Sequence, residues 1–193
     1  MKVLLINGSR RENGCTYTAL DIIAKTLNEN GIDTEILFVG AKAVTGDIDA
    51  LVKQAHELVK QCDGIVVGSP VYYASPSGEV QIFLDRLFSA AGSDLRLKPA
   101  AAVSSARRAG TTASIDVLNK YFTINEMPVV SSNYWNMVHG NTPDEVLKDD
   151  EGVQIMQTLG RNMAWLLKSI EAGKAAGIAQ PAPTPKTKTN FIR

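Results

Sequence analysis

A repeated switch between two hydrophobic periods is what most limits how this chain can fold. After Met1, residues 2–6 read as one continuous apolar stretch, the pattern of a strand covered on both faces. Leu20, Ile23, Ala24 and Leu27 then recur at helical spacing, and Gly31 stands where that helix would stop. The alternation continues. Residues 34–39 read as a second strand, and Ile48, Leu51, Val52, Ala55, Leu58, Val59 and Cys62 trace a second helix. Residues 64–68 form a third apolar strand, followed by Ser77 as the cap of a helix that turns Val80, Phe83, Leu84, Leu87 and Phe88 inward.

Residues 99–105 and 112–122 make the fourth strand and helix, and 127–131 the expected fifth strand. Thr142, Pro143 and Glu145 have capping-box spacing, and a last helix is expected over about 152–170. Such an alternation implies a parallel sheet with helices on both faces. Ligands of these sheets bind outside the carboxyl ends of the strands, near the switch in strand order. The loops after strands one, three and four are therefore where chemistry is expected.

Composition narrows the class. The 193 residues are 45% hydrophobic, which suits one domain with a full core. Twenty basic and twenty acidic side chains cancel, which argues against a nucleic-acid partner. No stretch approaches the roughly 18 apolar residues of a membrane span, and the apolar start is too short for a signal peptide, so a cytoplasmic protein is expected. Cys15 and Cys62, the two cysteines, cannot by themselves supply a four-thiolate metal or cluster site, and no metal site is expected. Beyond Gly173, "QPAPTPKTKTNFIR" reads as an extended tail, either disordered or lying along a partner subunit.

The first loop, from Gly8 to Thr16, lacks the lysine and spacing of a nucleotide-triphosphate loop, and it also lacks a dinucleotide fingerprint. It offers backbone N–H donors, the hydroxyls of Ser9 and Thr16, and Arg11, all leading into a helix start. That combination suits one phosphate monoester. The alternative is an ordinary strand-to-helix turn with solvated arginines. In the second loop, Tyr72 and Tyr73 lie between Pro70 and Pro76 and offer edges and faces for a planar ring, or plain rim packing. The third loop, "SSARRAGTT", combines Gly110 with Arg107 and Arg108, whose charge would favour a ring that holds electrons.

Taken together, Gly8-Ser9-x-Arg11 with Cys15-Thr16, then Ser69-Pro70-Val71-Tyr72-Tyr73, then Phe83-Leu84-Asp85-Arg86, resemble the NAD(P)H-dependent FMN reductases. Relatives of that family include quinone reductases, azoreductases and iron–sulfur flavoproteins. The resemblance implies a flavodoxin-like three-layer sandwich with a five-stranded parallel sheet in the order 2-1-3-4-5. It implies an FMN-binding domain over 1–172, with 173–193 as a tail. Ser9, Arg11, Gly14, Cys15 and Thr16 would surround the FMN phosphate. Pro70, Val71, Tyr72 and Tyr73 would contact the isoalloxazine, with Ser105, Ala106, Arg107, Arg108 and Gly110 on its other side. NADPH or NADH would be the co-substrate, a small molecule the electron acceptor, and a homodimer or homotetramer the assembly. Asp85 and Arg86 would lie near the subunit contact.

Three departures stand out. Cys15 replaces a more usual Asn or Ser, Gln81 replaces a frequent lysine, and the third loop is rich in arginine rather than glycine. The close cysteine cluster of the iron–sulfur branch is missing. No residue is expected to act as an essential acid or base, because the flavin carries the redox chemistry. His139, in a loop that could close over the flavin, either orients a substrate carbonyl or donates a proton, or is purely structural, and Trp135 and Asn136 are comparable candidates for a pocket wall. Two other readings remain: an electron carrier of the same fold without pyridine-nucleotide activity, and a flavin-free phosphate-binding domain.

Overall fold

The strands are buried on both faces because their side chains alternate between two helical layers. Leu4, Ile6, Ile65, Val67, Ala100 and Ala102 face one cluster, while Val3, Leu5, Val66, Ala101 and Val103 face the other. The computed structural model describes residues 1–189. In chain order the elements are β1 (Lys2–Asn7), α1 (Cys15–Glu29), β2 (Asp33–Phe38), α2 (Lys42–Thr45), α3 (Ile48–Gln61), β3 (Gly64–Tyr72) and β4 (Ser75–Pro76). They continue with α4 (Gly78–Leu95), β5 (Ala100–Ala106), α5 (Thr111–Ile124), β6 (Met137–His139), α6 (Pro143–Val146) and α7 (Asp150–Ala175). Helices α1 and α7 cover one face, and α3, α4 and α5 cover the other.

The parallel strands stand in the order β2-β1-β3-β5-β6, and β4 pairs antiparallel with β3 off that path. With that short arm set aside, the order is the one expected. Two details differ from the sequence reading. The sheet has six strands, and the fifth parallel strand is Met137–His139 rather than residues 127–131. Residues 127–131 contribute only a single bridge, from Val129 to Ala100. The reason is register: β6 pairs with Ser104 to Ala106, at the carboxyl end of β5, so the chain must first travel up the sheet edge. Strand β3 also runs on through Pro70, Val71 and Tyr72, which are therefore not loop residues. Helix α7 extends from Asp150 to Ala175, past both expected ends. After it, residues 176–189 are exposed and form no helix or strand, and the Arg96 guanidinium donates to the Pro181 carbonyl at 3.0 Å. Residues 190–193 of the expected tail lie outside the described residues.

The crossover after β1 runs to β2 on one side and the crossover after β3 runs to β5 on the other, which opens a crevice between the carboxyl ends of β1 and β3. Ser77 ties that crevice shut from below. Its hydroxyl donates to the Gly8 carbonyl at 2.8 Å and accepts from the Val80 N–H at 3.2 Å, while its own N–H donates to Ser69 Oγ at 2.9 Å. Ser77→Ala leaves a buried carbonyl and a first-turn N–H without that partner. We expect a loss of about 1–3 kcal/mol, read as a lower urea midpoint at unchanged slope.

Candidate functional site

Asn7, fully buried at the end of β1, shapes the loop that follows it. Its Oδ1 accepts from the Ser9 N–H at 3.1 Å, and its Nδ2 donates to the Glu12 carbonyl at 2.8 Å. Its main-chain oxygen accepts from Val39 and Gly40 at 3.0 and 3.2 Å. The loop closes on itself further through the Arg11 N–H, which donates to Ser9 Oγ at 3.1 Å. Gly40 presses against this turn so closely that a Cβ there would stand 1.7 Å from the Ser9 carbonyl oxygen.

Helix α1 then begins at Gly14, which has no side chain to cap it, and its first turn holds no acidic residue. The first-turn N–H groups and the positive end of the helix dipole are thus left for a ligand. Beside them, the hydroxyls of Thr16 and Ser105, both buried, lie 2.8 Å apart.

A cleft of about 210 Å³ opens at this point. Ser9, Arg11, Gly14, Cys15 and Thr16 line it from the first loop, and Pro70, Val71 and Tyr72 from β3. Ser105, Ala106 and Arg107 line it from the end of β5. The structure thus brings all three sequence-selected loops to one cleft. Three selected residues fall outside its lining: Tyr73, Arg108 and Gly110. Tyr73 stands at the tip of the β3–β4 hairpin, fully exposed. Gly110 (φ +97°) instead supports that hairpin, since a Cβ on it would lie 2.9 Å from Ala74 Cα and Val71 Cγ1. Arg108 presents its carbonyl to His139 Nε2 at 2.9 Å.

Gly140 and Asn141 complete the lining and were not selected from the sequence. They follow the short strand β6, and only the corrected register carries them to the cleft. Asn7, one residue before the motif, was also missed; an Asn at the end of an apolar run was the available signal. A larger hollow of about 370 Å³ lies elsewhere, lined by Asp63, Arg96, Lys98 and Glu171 among others. It lies at the amino end of β3 and presents mixed charges rather than converging N–H donors.

The hairpin is strained. Tyr72 pairs with Ser75 across a two-residue turn whose central residues, Tyr73 and Ala74, have φ of 51° and 58°. Turns of this kind usually hold Asn-Gly. Positive φ at non-glycine residues costs on the order of 1–3 kcal/mol each and persists only where neighbours enforce it.

Cys15 is half-buried, with Sγ 3.6 Å from the Gly140 carbonyl. Burial pushes its thiol upward, outweighing the backbone hydrogen bond and the nearby Arg11 charge, so it stays protonated at neutral pH. Arg10 pairs with Glu79 at 3.1 Å and is not among the residues that line the cleft. Cys62 is buried just before β3, at the other end of the sheet from Cys15. Among the described residues, no group of three or more His, Cys, Asp or Glu is arranged to hold a metal ion, and no helix is long and apolar enough to cross a membrane.

A doubly wound sheet of this order, with a helix start and two hydroxyls at the switch point, is flavodoxin-like. A WrbA-like flavodoxin from Agrobacterium tumefaciens superposes with a TM-score of 0.68 at 13% identity, over 87% of this chain and 97% of that one. The family model for NADPH-dependent FMN reductase matches residues 1–142, and the chain belongs to that family. It is an FMN-dependent oxidoreductase. An iron–sulfur flavoprotein of Methanocaldococcus jannaschii is 29% identical over 89% of this chain and the whole of the relative. An NADPH azoreductase of a Bacillus species is 33% identical over 62% of this chain and 65% of the relative.

The donor set fits FMN: an uncapped helix start with no acid in its first turn, two buried hydroxyls and Arg11 share one cleft. It does not fit a cysteine-bound cluster, because the two cysteines stand at opposite ends of the sheet. Replacing Asn7 by Ala frees the Ser9 N–H and the Glu12 carbonyl while leaving the apolar core intact. We expect amide exchange in residues 8–14 to quicken by about tenfold or more, with little change at β3.

Proposed function

We propose that this protein draws reducing equivalents from NADPH or NADH and delivers them to a small-molecule acceptor. The observation that carries the reading is the meeting of three elements in one cleft: the open start of α1, the tyrosine hairpin and the Arg107 loop. When bound, FMN would supply the redox chemistry: hydride uptake from the pyridine nucleotide and electron release to a second substrate.

The chain's own part is to bind and tune. The α1 N–H groups, Thr16, Ser105 and Arg11 would hold the phosphate. The cleft, at about 210 Å³, is below the roughly 300–1,000 Å³ of pockets that enclose a whole ligand. It suits the phosphate end, and Tyr72 and Arg107, also in its lining, are the residues that would hold the ring. Tyr72, 44% exposed, offers its ring as a wall. Arg107 would supply a cation that favours the anionic reduced ring.

Cys15 contributes its backbone N–H rather than a side-chain donor. We read residues 1–172 as the FMN-binding domain, with 173–193 as its extension, in a cytoplasmic homodimer or homotetramer. Tyr73, at 104% exposure, supports a neighbouring subunit as its cover.

Anaerobic titration with NADPH or NADH tests the activity. Rapid bleaching of the visible flavin band supports the reductase, whereas a colourless protein that takes up no added FMN overturns the site. Arg107→Ala is expected to lower the flavin midpoint potential, and Arg108→Ala to move it less. An unchanged potential in both removes the tuning role.

A further inference from the structure

We infer that His139 is a positioning residue: it holds the Arg107–Arg108 loop in place over the cleft. The inference rests on the reading of Arg107 as the cation beside the flavin ring, and it goes beyond that reading by naming what sets the arginine's place.

His139 ends β6, and its Nε2 lies 2.9 Å from the Arg108 carbonyl oxygen. A carbonyl oxygen only accepts, so Nε2 carries the proton and donates it there. The ring is therefore committed to the protein, not aimed at a substrate. The main chain holds the same segment a second time. The N–H of Gly140 donates to the Ala106 carbonyl at 3.0 Å. Arg107 thus sits between two carbonyls that are both held from residues 139 and 140, and it is the arginine of the pair that lines the cleft.

The anchor is itself fixed. Asp149 Oδ2 accepts from the His139 backbone N–H at 2.6 Å, and Oδ1 of the same carboxylate accepts from Gly152 N–H at 3.0 Å, capping α7. Ile155, Met156 and Leu159 of α7 are buried against the sheet, so the peg is rooted in the core. The held loop in turn ends in Gly110, which touches Ala74 and Val71 of the strained hairpin. The imidazole hydrogen bond and the Gly140–Ala106 main-chain bond therefore connect the start of α7 to the Arg107 side of the cleft. Without that hold, the loop carrying these two exposed arginines would be free to move Arg107 off the cleft.

The experiment compares His139→Leu, His139→Asn and His139→Gln in the full chain, with two readouts. The first is tryptic cleavage after Arg107 and Arg108, with and without FMN. Loss of the hydrogen bond in the Leu and Asn variants is expected to speed cleavage about three- to tenfold. Gln is expected to restore resistance, because its amide nitrogen reaches about as far as Nε2. The second is the midpoint potential of bound FMN, measured by redox titration. It is expected to fall in His139→Leu and His139→Asn, return in His139→Gln, and not fall further when His139→Asn is combined with Arg107→Ala.

Unchanged cleavage in both the Leu and Asn variants overturns the proposal, as does a potential shift that adds in full to that of Arg107→Ala. Should His139→Leu fail to fold, the Asn and Gln pair decides the matter. If Arg107→Ala leaves the potential where it was, the reading of Arg107 as a tuning cation falls by itself. Cleavage then judges the anchoring alone.

Discussion

The buried amide of Asn7 is the interaction on which the binding end of this protein depends. It stands where the sheet must stop and a tight loop must begin, and it uses both ends of its side chain to do so. The Oδ1 takes the Ser9 N–H, and Nδ2 gives to the Glu12 carbonyl. Without such internal partners, the buried Ser9 N–H and the Glu12 carbonyl would call for water or a different loop path. The loop is thereby closed before any ligand arrives, which lowers the ordering cost that binding would otherwise carry. Ser77 performs a parallel task one strand away, linking Gly8 to the start of α4.

The opposite side of the cleft is organised differently. There the backbone is strained at Tyr73 and Ala74, and it is held by contacts made elsewhere in the chain. Gly110 leaves room for the hairpin, and His139 fixes the loop that carries Gly110 and Arg107. One wall is thus satisfied by local hydrogen bonds, and the other by long-range packing. That difference matches their tasks in the proposed function. A phosphate site gains from rigidity, while a ring-facing wall must admit two substrates in succession.

Much of this was legible in the residue pattern. The apolar runs at 2–6 and 64–68 identified strands buried on both faces, and the segments just after those runs hold residues that line the cleft. The neighbours Arg10 and Arg11 part in the structure, one pairing with Glu79 and the other lining the cleft. The pattern failed where it depended on register. Residues 127–131 have the hydrophobicity of a strand, yet a three-residue segment ten positions later fills the place. A run of Met, Pro and Val cannot reveal that it meets β5 only at Ala100, while the ladder of the next strand lies at Ser104 to Ala106. His139 was equally opaque, since one imidazole reads the same whether it meets a substrate or a carbonyl.

Period and punctuation in the chain were enough to determine a parallel, doubly wound sheet, the loops that matter, and the absence of a cysteine set for a cluster. These follow from local physics: which face a side chain takes, and which residues end an element. Tertiary structure alone decided which arginine lines the cleft, that Gly110 supports the hairpin, and that Gly140 and Asn141 complete the wall. Those outcomes turn on distances between segments far apart in the chain, about 30 residues in the case of His139 and Arg108. No local pattern encodes them, because they arise only once the sheet has set its register.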